Sequence, residues 1–317
     1  MFEQAIKKIQ AAETIAILAH ISEDADAAGS SFALAEVLRG MGKEAVCYFS
    51  DTLEARLRFM DGEYTVYTGQ ALPAYDLCIS LDAGGIDRLG SRAAIFNQAG
   101  NTVSIDHHCA NTNFAQVNCV VPDISSTGEL LWSLFQEMGA ALTKPAAAAL
   151  YTAIAGDTGC FKYSNVTPDT LRIAAALLEV GIPHAEICRR LFDTNELAML
   201  QFKGWVMQNI KSYFGGQLRL VAVDQADFDR FGVAEKDAGD IVDIPRSVQG
   251  TEIAVAIRQL PEKTKISFRS NGRYSVNEIA ARFGGGGHMM AAGASVSPAE
   301  QDIVKRIVAA CGEIIHD

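Results

Sequence analysis

Positive charge is in short supply in this sequence. The 317 residues include 27 Lys and Arg against 38 Asp and Glu, a net charge of −11. Extended duplexes are gripped mainly by Lys and Arg neutralising phosphates, so long nucleic acid is excluded as a partner. A short phosphorylated ligand is not excluded, because bound cations can supply the missing charge. Long apolar runs are also missing. The most apolar stretch, Ala146 to Ala155, is interrupted by Thr152 and falls well short of the ~18–20 residues of a membrane helix. The opening MFEQAIKKIQAAE has no apolar signal core and carries Glu3 and Glu13, so it reads as an amphipathic helix. No CxxC pair occurs, and the seven cysteines are odd in number, several of them in apolar runs such as DLCISL. Reduced, buried thiols fit that usage better than a disulfide framework. Repeats and low-complexity tracts are absent too. These absences predict a cytoplasmic protein with no membrane association.

What is present is a globular balance, with 49% hydrophobic and 21% charged residues, on a chain long enough for two cores. TIAILA (14–19), EAVCYF (44–49), DLCISL (76–81) and NTVSI (101–105) read as strands, with a helical pattern over 30–42 between the first two. Strand and helix in alternation imply right-handed crossovers and a mainly parallel sheet. From Ser125 to about Phe214 the pattern turns helical, with helices expected at 126–138, 144–155, 168–180 and 194–213. Beyond Gly215–Gly216, strands are expected at 218–223, 252–260 and 265–270, and helices at 276–283 and 298–315. The expected fold class is α/β, with a larger parallel domain (1–190), a helical linker (191–216) and a smaller α/β domain (217–317). An active site is expected in the cleft between the domains.

The polar residues at strand ends carry the chemistry. His20, Asp24 and Asp26 follow the first strand, Asp82 follows DLCISL, the triplet Asp106-His107-His108 follows NTVSI, and Asp157 ends an apolar helix. In an open parallel sheet, ligands bind outside the carboxyl ends of the strands, where neighbouring crossovers diverge. Each residue alone has an ordinary reading, a helix cap for Asp24 or Asp106, a turn for Asp82. Together they deliver imidazoles and carboxylates to one sheet edge. Oxygen-rich donors with imidazole and no thiolate suit Mn, Mg or Co. Clustered aspartates would drive one another toward protonation unless cations intervened. Six ligand candidates suit two ions sharing a carboxylate, and two ions ~3.5–4 Å apart serve displacement at phosphorus. A second polar segment, FGGGGHMMAAGAS (283–295), lets backbone N–H groups approach an anion, with His288 as a directional donor. It is neither a Rossmann fingerprint nor a P-loop, because no strand precedes it and no Gly-Lys-Ser/Thr follows.

In order along the chain, HISEDADAAGS, DAGGIDRLG, SIDHH and GDTGCF resemble the four signature motifs of the Asp-His-His phosphoesterases. One departure lies in the first motif, where Glu23 and Ala25 stand at positions that often hold Pro and Gly. The resemblance implies that His20, Asp24 and Asp82 bind one divalent ion. Asp26, Asp82, His107 and Asp157 bind a second, with Asp82 bridging, and manganese is the metal most in keeping. His108 would face the scissile phosphate and Asp106 would orient a histidine. KISFRS and the glycine run resemble the associated C-terminal domain, which implies substrate binding by Arg269, Ser270, Gly286, Gly287 and His288. That domain separates the chain from family II pyrophosphatases. At 317 residues there is no room for the extra domains of RecJ exonucleases. The compact two-domain form resembles the nanoRNases and pAp phosphatases. The implied partners are very short oligonucleotides or pAp as substrate. A soluble phosphodiesterase of cyclic or linear dinucleotides and a non-catalytic nucleotide-binding regulator are the alternatives. Apolar helix faces within 126–213 leave a homodimer or a plain core as readings.

Overall fold

The computed structural model describes residues 1–298 and 302–315. It divides into two compact units, Met1–Thr194 and Asn195–Asp317. The first holds a six-stranded sheet of β1 (Thr14–Ala19), β2 (Glu44–Phe49), β3 (Tyr64–Val66), β4 (Leu77–Leu81), β5 (Asn101–Asp106) and β6 (Val117–Val120). The spatial order is β3-β2-β1-β4-β5-β6, and every neighbouring pair is parallel. The α/β class expected from the alternating pattern is therefore what the chain adopts. Strands β1 and β4 are buried along nearly their whole length, as helices on both faces require. From β1 the chain proceeds outward through β2 and β3; from β4 it proceeds the other way through β5 and β6. The crossovers therefore diverge between the ends of β1 and β4, which is where a parallel sheet opens a crevice.

Seven helices surround or extend this sheet: α1 (Glu3–Ala11), α2 (Ala25–Gly40), α3 (Ala93–Gln98), α4 (Thr127–Met138), α5 (Lys144–Asp157), α6 (Pro168–Glu179) and α7 (His184–Cys188). Helix α2 starts five residues before the expected pattern because Asp24 caps it, its side chain accepting from the N–H groups of Asp26 and Ala27. Helices α2 and α5 approach closely because Gly29 has no side chain: a Cβ there would lie 2.6 Å from the Ala149 carbonyl oxygen. At the other end of the contact, a Cβ on Gly156 would meet that of Ala25 at 2.4 Å. These two glycines let the start of α2 and the end of α5 meet, which brings Asp26 and Asp157 to one place. The core beneath is aliphatic and aromatic, with Ile15, Ile17, Leu34, Ile79, Val103, Leu131, Phe135 and Ile154 all shielded from solvent.

The second unit is a mixed sheet of β7 (Lys211–Tyr213), β8 (Leu218–Asp224), β9 (Ile253–Gln259), β10 (Thr264–Ser270), β11 (Gly286–Gly287) and β12 (Ala291–Val296). The order is β11-β12-β10-β9-β8-β7, antiparallel except for β8 with β9. Its helices are α8 (Leu197–Gln208), α9 (Gln225–Phe231), α10 (Asp243–Arg246), α11 (Val276–Ala281) and α12 (Ile303–Ile315). Alternate strand residues serve two faces: Leu218 and Leu220 pack with Ile279 and Ile307, while Val221 and Val223 pack with Phe202, Val206 and Phe228. The helix expected over 194–213 ends at Gln208, because Lys211–Tyr213 pairs with β8 instead. Residues 299–301 of the expected closing helix lie outside the described residues. Among the described residues, no helix is long and apolar enough to cross a membrane.

Candidate metal centre

The first unit gathers eight of the residues singled out in the sequence. His20 directly follows β1, Asp82 directly follows β4, and Asp106, the last residue of β5, leads into His107 and His108. Asp24 precedes α2, Asp26 lies in its first turn, and Asp157 closes α5. The divergence of crossovers between β1 and β4 thus places His20 and Asp82 side by side, and β5, the next strand over, adds the two histidines.

The distances define two overlapping groups. His20 Nε2 lies 3.4 Å from Asp82 Oδ2 and 3.6 Å from Asp24 Oδ2. His107 Nε2 lies 3.2 Å from Asp157 Oδ2, 3.4 Å from Asp82 Oδ1 and 3.9 Å from Asp26 Oδ2. Asp82 therefore turns one carboxylate oxygen to each group. Its backbone takes a left-handed φ of 55°, tolerable for Asp and costly for most other residues. The ring nitrogens are sorted by their other partners. His20 Nδ1 sits 2.8 Å from the Ile21 carbonyl and His107 Nδ1 sits 3.3 Å from that of Ile124. A carbonyl only accepts, so each Nδ1 carries a proton and each Nε2 faces the carboxylates; loss of the Nε2 proton to a cation would leave the tautomer a metal-binding imidazole needs.

The electrostatics of the cluster are those of a site short of positive charge. Burial and repulsion from Asp82 push Asp26 up to about 7. Burial and the neighbouring carboxylates Asp26, Asp24 and Asp82 raise Asp157 well above the ordinary range. Burial alone would lower His107, but the hydrogen bond it donates to Asp82 and the charges of Asp26, Asp82 and Asp157 hold it up at about 10. Asp82 itself is pulled down against its burial by the two imidazoles. In each triad, His20-Asp24-Asp82 and Asp26-His107-Asp157, one ligand atom per residue lies within 4.8 Å of the others. Bonds of ~2.0–2.2 Å to a common ion allow such separations after small adjustments. Donor type, tautomer and excess negative charge fit two hard divalent cations.

His108 lies beside the triads, its Nδ1 3.6 Å from Asp82 Oδ1 and grouped with Asp82 and His107, but it is anchored differently. Its Nδ1 donates to Asp106 Oδ1 at 2.7 Å, and Asp106 Oδ2 accepts from Asn111 Nδ2 at 2.6 Å. Asp106 is fully buried while His108 is partly exposed, so a buried carboxylate orients an accessible ring and raises its proton affinity. Several supporting groups were not identified from sequence. Thr127 N donates to Asp26 Oδ2 at 2.7 Å and Gly128 N to Oδ1 at 2.9 Å. The open first turn of α4 thereby fixes Asp26, and Thr127 Oγ1 also reaches Asp82 Oδ1 at 3.1 Å. The Ser-x-x-Glu spacing at Ser126 and Glu129 marks a helix start, the signal that could have drawn attention to them. In the second unit, Arg269 and Ser270 close β10, Gly286 and Gly287 form β11, and His288 turns the chain back into β12. Gly285 and Gly287 are required there, since a Cβ on either would lie 2.1 Å and 2.5 Å from the carbonyl oxygens of Gly293 and Ala291.

Comparison with known proteins identifies the family. The N-terminal domain of the DHH family matches residues 14–154, and the DHHA1 domain matches residues 219–315. The bifunctional oligoribonuclease and PAP phosphatase NrnA of Thermus thermophilus is 33% identical over 290 residues, 91% of this chain and 86% of that protein. Its counterpart of the same name in Bacillus subtilis is 27% identical over 303 residues, 93% of either chain. An exopolyphosphatase-related protein from Bacteroides fragilis has a similar structure, with a TM-score of 0.91 at 27% identity over 98% of this chain and 95% of that one. The chain belongs to the DHH family of phosphoesterases.

Proposed function

We propose that this chain hydrolyses RNAs of a few nucleotides to mononucleotides and removes the 3′-phosphate of pAp, using two divalent ions, manganese by preference. The observation that carries the reading is the pair of donor triads His20-Asp24-Asp82 and Asp26-His107-Asp157, with Asp82 Oδ1 also 3.4 Å from His107 Nε2, in a chain aligned over 91% of its length with an oligoribonuclease and PAP phosphatase. His20, Asp24 and Asp82 would hold one ion; Asp26, Asp82, His107 and Asp157 would hold the other. Bound there, the ions would neutralise phosphate charge and acidify a water for attack on phosphorus. His108, oriented by Asp106, faces the scissile phosphate and stabilises the charge that develops there or assists the departing oxygen. Arg269, Ser270, Gly286, Gly287 and His288 bind substrate, with Arg269 offering paired hydrogen bonds to a phosphate and the glycine backbone offering N–H groups. The net charge of −11 restricts the substrate to short chains, whose few phosphates need little further positive charge.

The test is release of mononucleotides from a five-nucleotide RNA with and without Mn²⁺, with pAp and cyclic and linear dinucleotides in the same panel. Metal-dependent release from the RNA and from pAp supports the proposal. Turnover of the dinucleotides alone would move the assignment to a dinucleotide phosphodiesterase. Nucleotide binding with no turnover of any substrate would leave a regulator.

A further inference from the structure

The loop from Ile21 to Glu23, between two candidate ligands of one ion, is tied down residue by residue. Ile21 N donates to the Arg88 carbonyl at 2.8 Å, and Ser22 N donates to Ser50 Oγ at 3.2 Å. Glu23 Oε1 accepts from Ser50 N at 2.7 Å and from Arg92 Nη1 at 2.6 Å, and Oε2 accepts from Ser50 Oγ at 2.9 Å. Arg92 is fully buried, and it also donates to the carbonyls of Tyr48 and Leu89 at 2.8 and 3.2 Å. Its Nη2 is buried with no hydrogen-bond partner. Ser22 is held at a left-handed φ of 61°.

As a device for stability this arrangement is poor. Burying an ion pair strips both charges of water, and apolar residues of the same volume often do as well or better. An unpaired buried donor adds a further desolvation cost, and a non-glycine residue in the left-handed region adds strain. What the clamp does achieve is a fixed path for the loop, with His20 entering it and Asp24 leaving it. The other triad has its own anchors: the Asp26 carboxylate accepts from the N–H groups of Thr127 and Gly128 and His107 Nδ1 faces the Ile124 carbonyl, so its link to the loop is the Asp26 backbone N–H, which donates to Asp24 Oδ1 at 3.0 Å.

We propose that Glu23 is a positioning residue for one ion only, the one held by His20, Asp24 and Asp82, and that Arg92 and Ser50 complete the clamp. This rests on the two-ion reading of the centre. In Glu23→Gln the anchor loses its charge, so the loop wanders and the ion near His20 binds about 10–100-fold more weakly, while the ion near Asp157 is unaffected.

The experiment is a Mn²⁺ titration of the full chain by calorimetry and by electron paramagnetic resonance, with the melting temperature of the metal-free protein alongside. Asp24→Asn and Asp157→Asn serve as references for loss of each ion. Wild type should bind two ions and show the spectrum of a coupled pair. Glu23→Gln should resemble Asp24→Asn, with one tight ion and an uncoupled spectrum. Because Glu23→Gln leaves Arg92 without a counter-charge and can fail to fold, Ser50→Ala, which keeps the pair, is run in parallel; the same selective loss, smaller in size, is expected. Equal weakening of both ions in step with the melting temperature, or wild-type binding in both variants, would overturn the proposal. A wild type that binds fewer than two ions overturns the two-ion reading and this proposal with it.

Discussion

Asp82→Asn is the substitution that tests the centre most directly. Asparagine keeps the shape and tolerates the left-handed φ of 55° at this position, so the change isolates the charge. In the metal-free protein the effects offset. Two imidazole pairs at 3.4 Å weaken, but the repulsion that raises Asp26 and Asp157 is relieved as well. Melting temperature without metal should therefore change little. With metal nothing offsets the loss, because Asp82 is the one carboxylate with an oxygen in each group. Removing one partner from a buried charge cluster costs about 3–5 kcal/mol, which is about two to three and a half orders of magnitude in affinity. Calorimetric titration with Mn²⁺ should show affinity falling by that amount for both ions, and hydrolysis of a five-nucleotide RNA should fall with it. Two ions bound with wild-type affinity in Asp82→Asn would refute the bridging role and the reasoning from the diverging oxygens.

Asp106→Asn should leave both metal affinities intact, lower kcat by about 10²–10⁴-fold, and shift the titration of His108 down in NMR, since the Asp106 hydrogen bond is what chiefly raises it. Protons and cations compete for the centre: Asp26, at about 7 in the metal-free protein, is protonated below that pH. Mn²⁺ affinity should accordingly climb between pH 6 and 8, with proton release measurable as buffer-dependent heat. The same shift has a stability consequence of opposite sign. A carboxyl whose proton is held more tightly folded than unfolded favours the folded state below its unfolded value of 3.8 and loses that contribution as pH rises to about 7. The metal-free protein should melt lower at pH 7 than at pH 5, and Mn²⁺ should raise the melting temperature more at the higher pH. In the second unit, Gly285→Ala would force a Cβ to within 2.1 Å of the Gly293 carbonyl. RNA hydrolysis should be lost while two Mn²⁺ still bind, because every metal-ligand candidate lies in the first unit; loss of metal binding would contradict that division.

Local patterns in the chain were sufficient to identify the main strands of the first sheet and the polar groups at their ends. A strand buried on both faces must be a short apolar run, and a ligand group must stand just past it, so TIAILA-His20, DLCISL-Asp82 and NTVSI-Asp106 are legible without coordinates. Strand β12 was not, because AAGASV has a single branched residue, Val296, and no aromatic one, and is a strand only through its pairing with β10. Strand β7, three residues at the end of a helical pattern, is likewise a strand only through its pairing with β8. Fold class, donor types and their order were all readable along the chain. Tertiary structure alone decided how the donors are shared and braced. Thr127 reaches Asp26 across 101 positions, and Arg92 reaches Glu23 across 69. Whether Asp82 serves one group or two depends on β1, β4 and β5 lying side by side. The close approach of Asp26 and Asp157 depends on α2 and α5 meeting at Gly29 and Gly156. Periodicity records which face of an element is buried; it carries no record of which element buries it, and these contacts exist only once that choice is made.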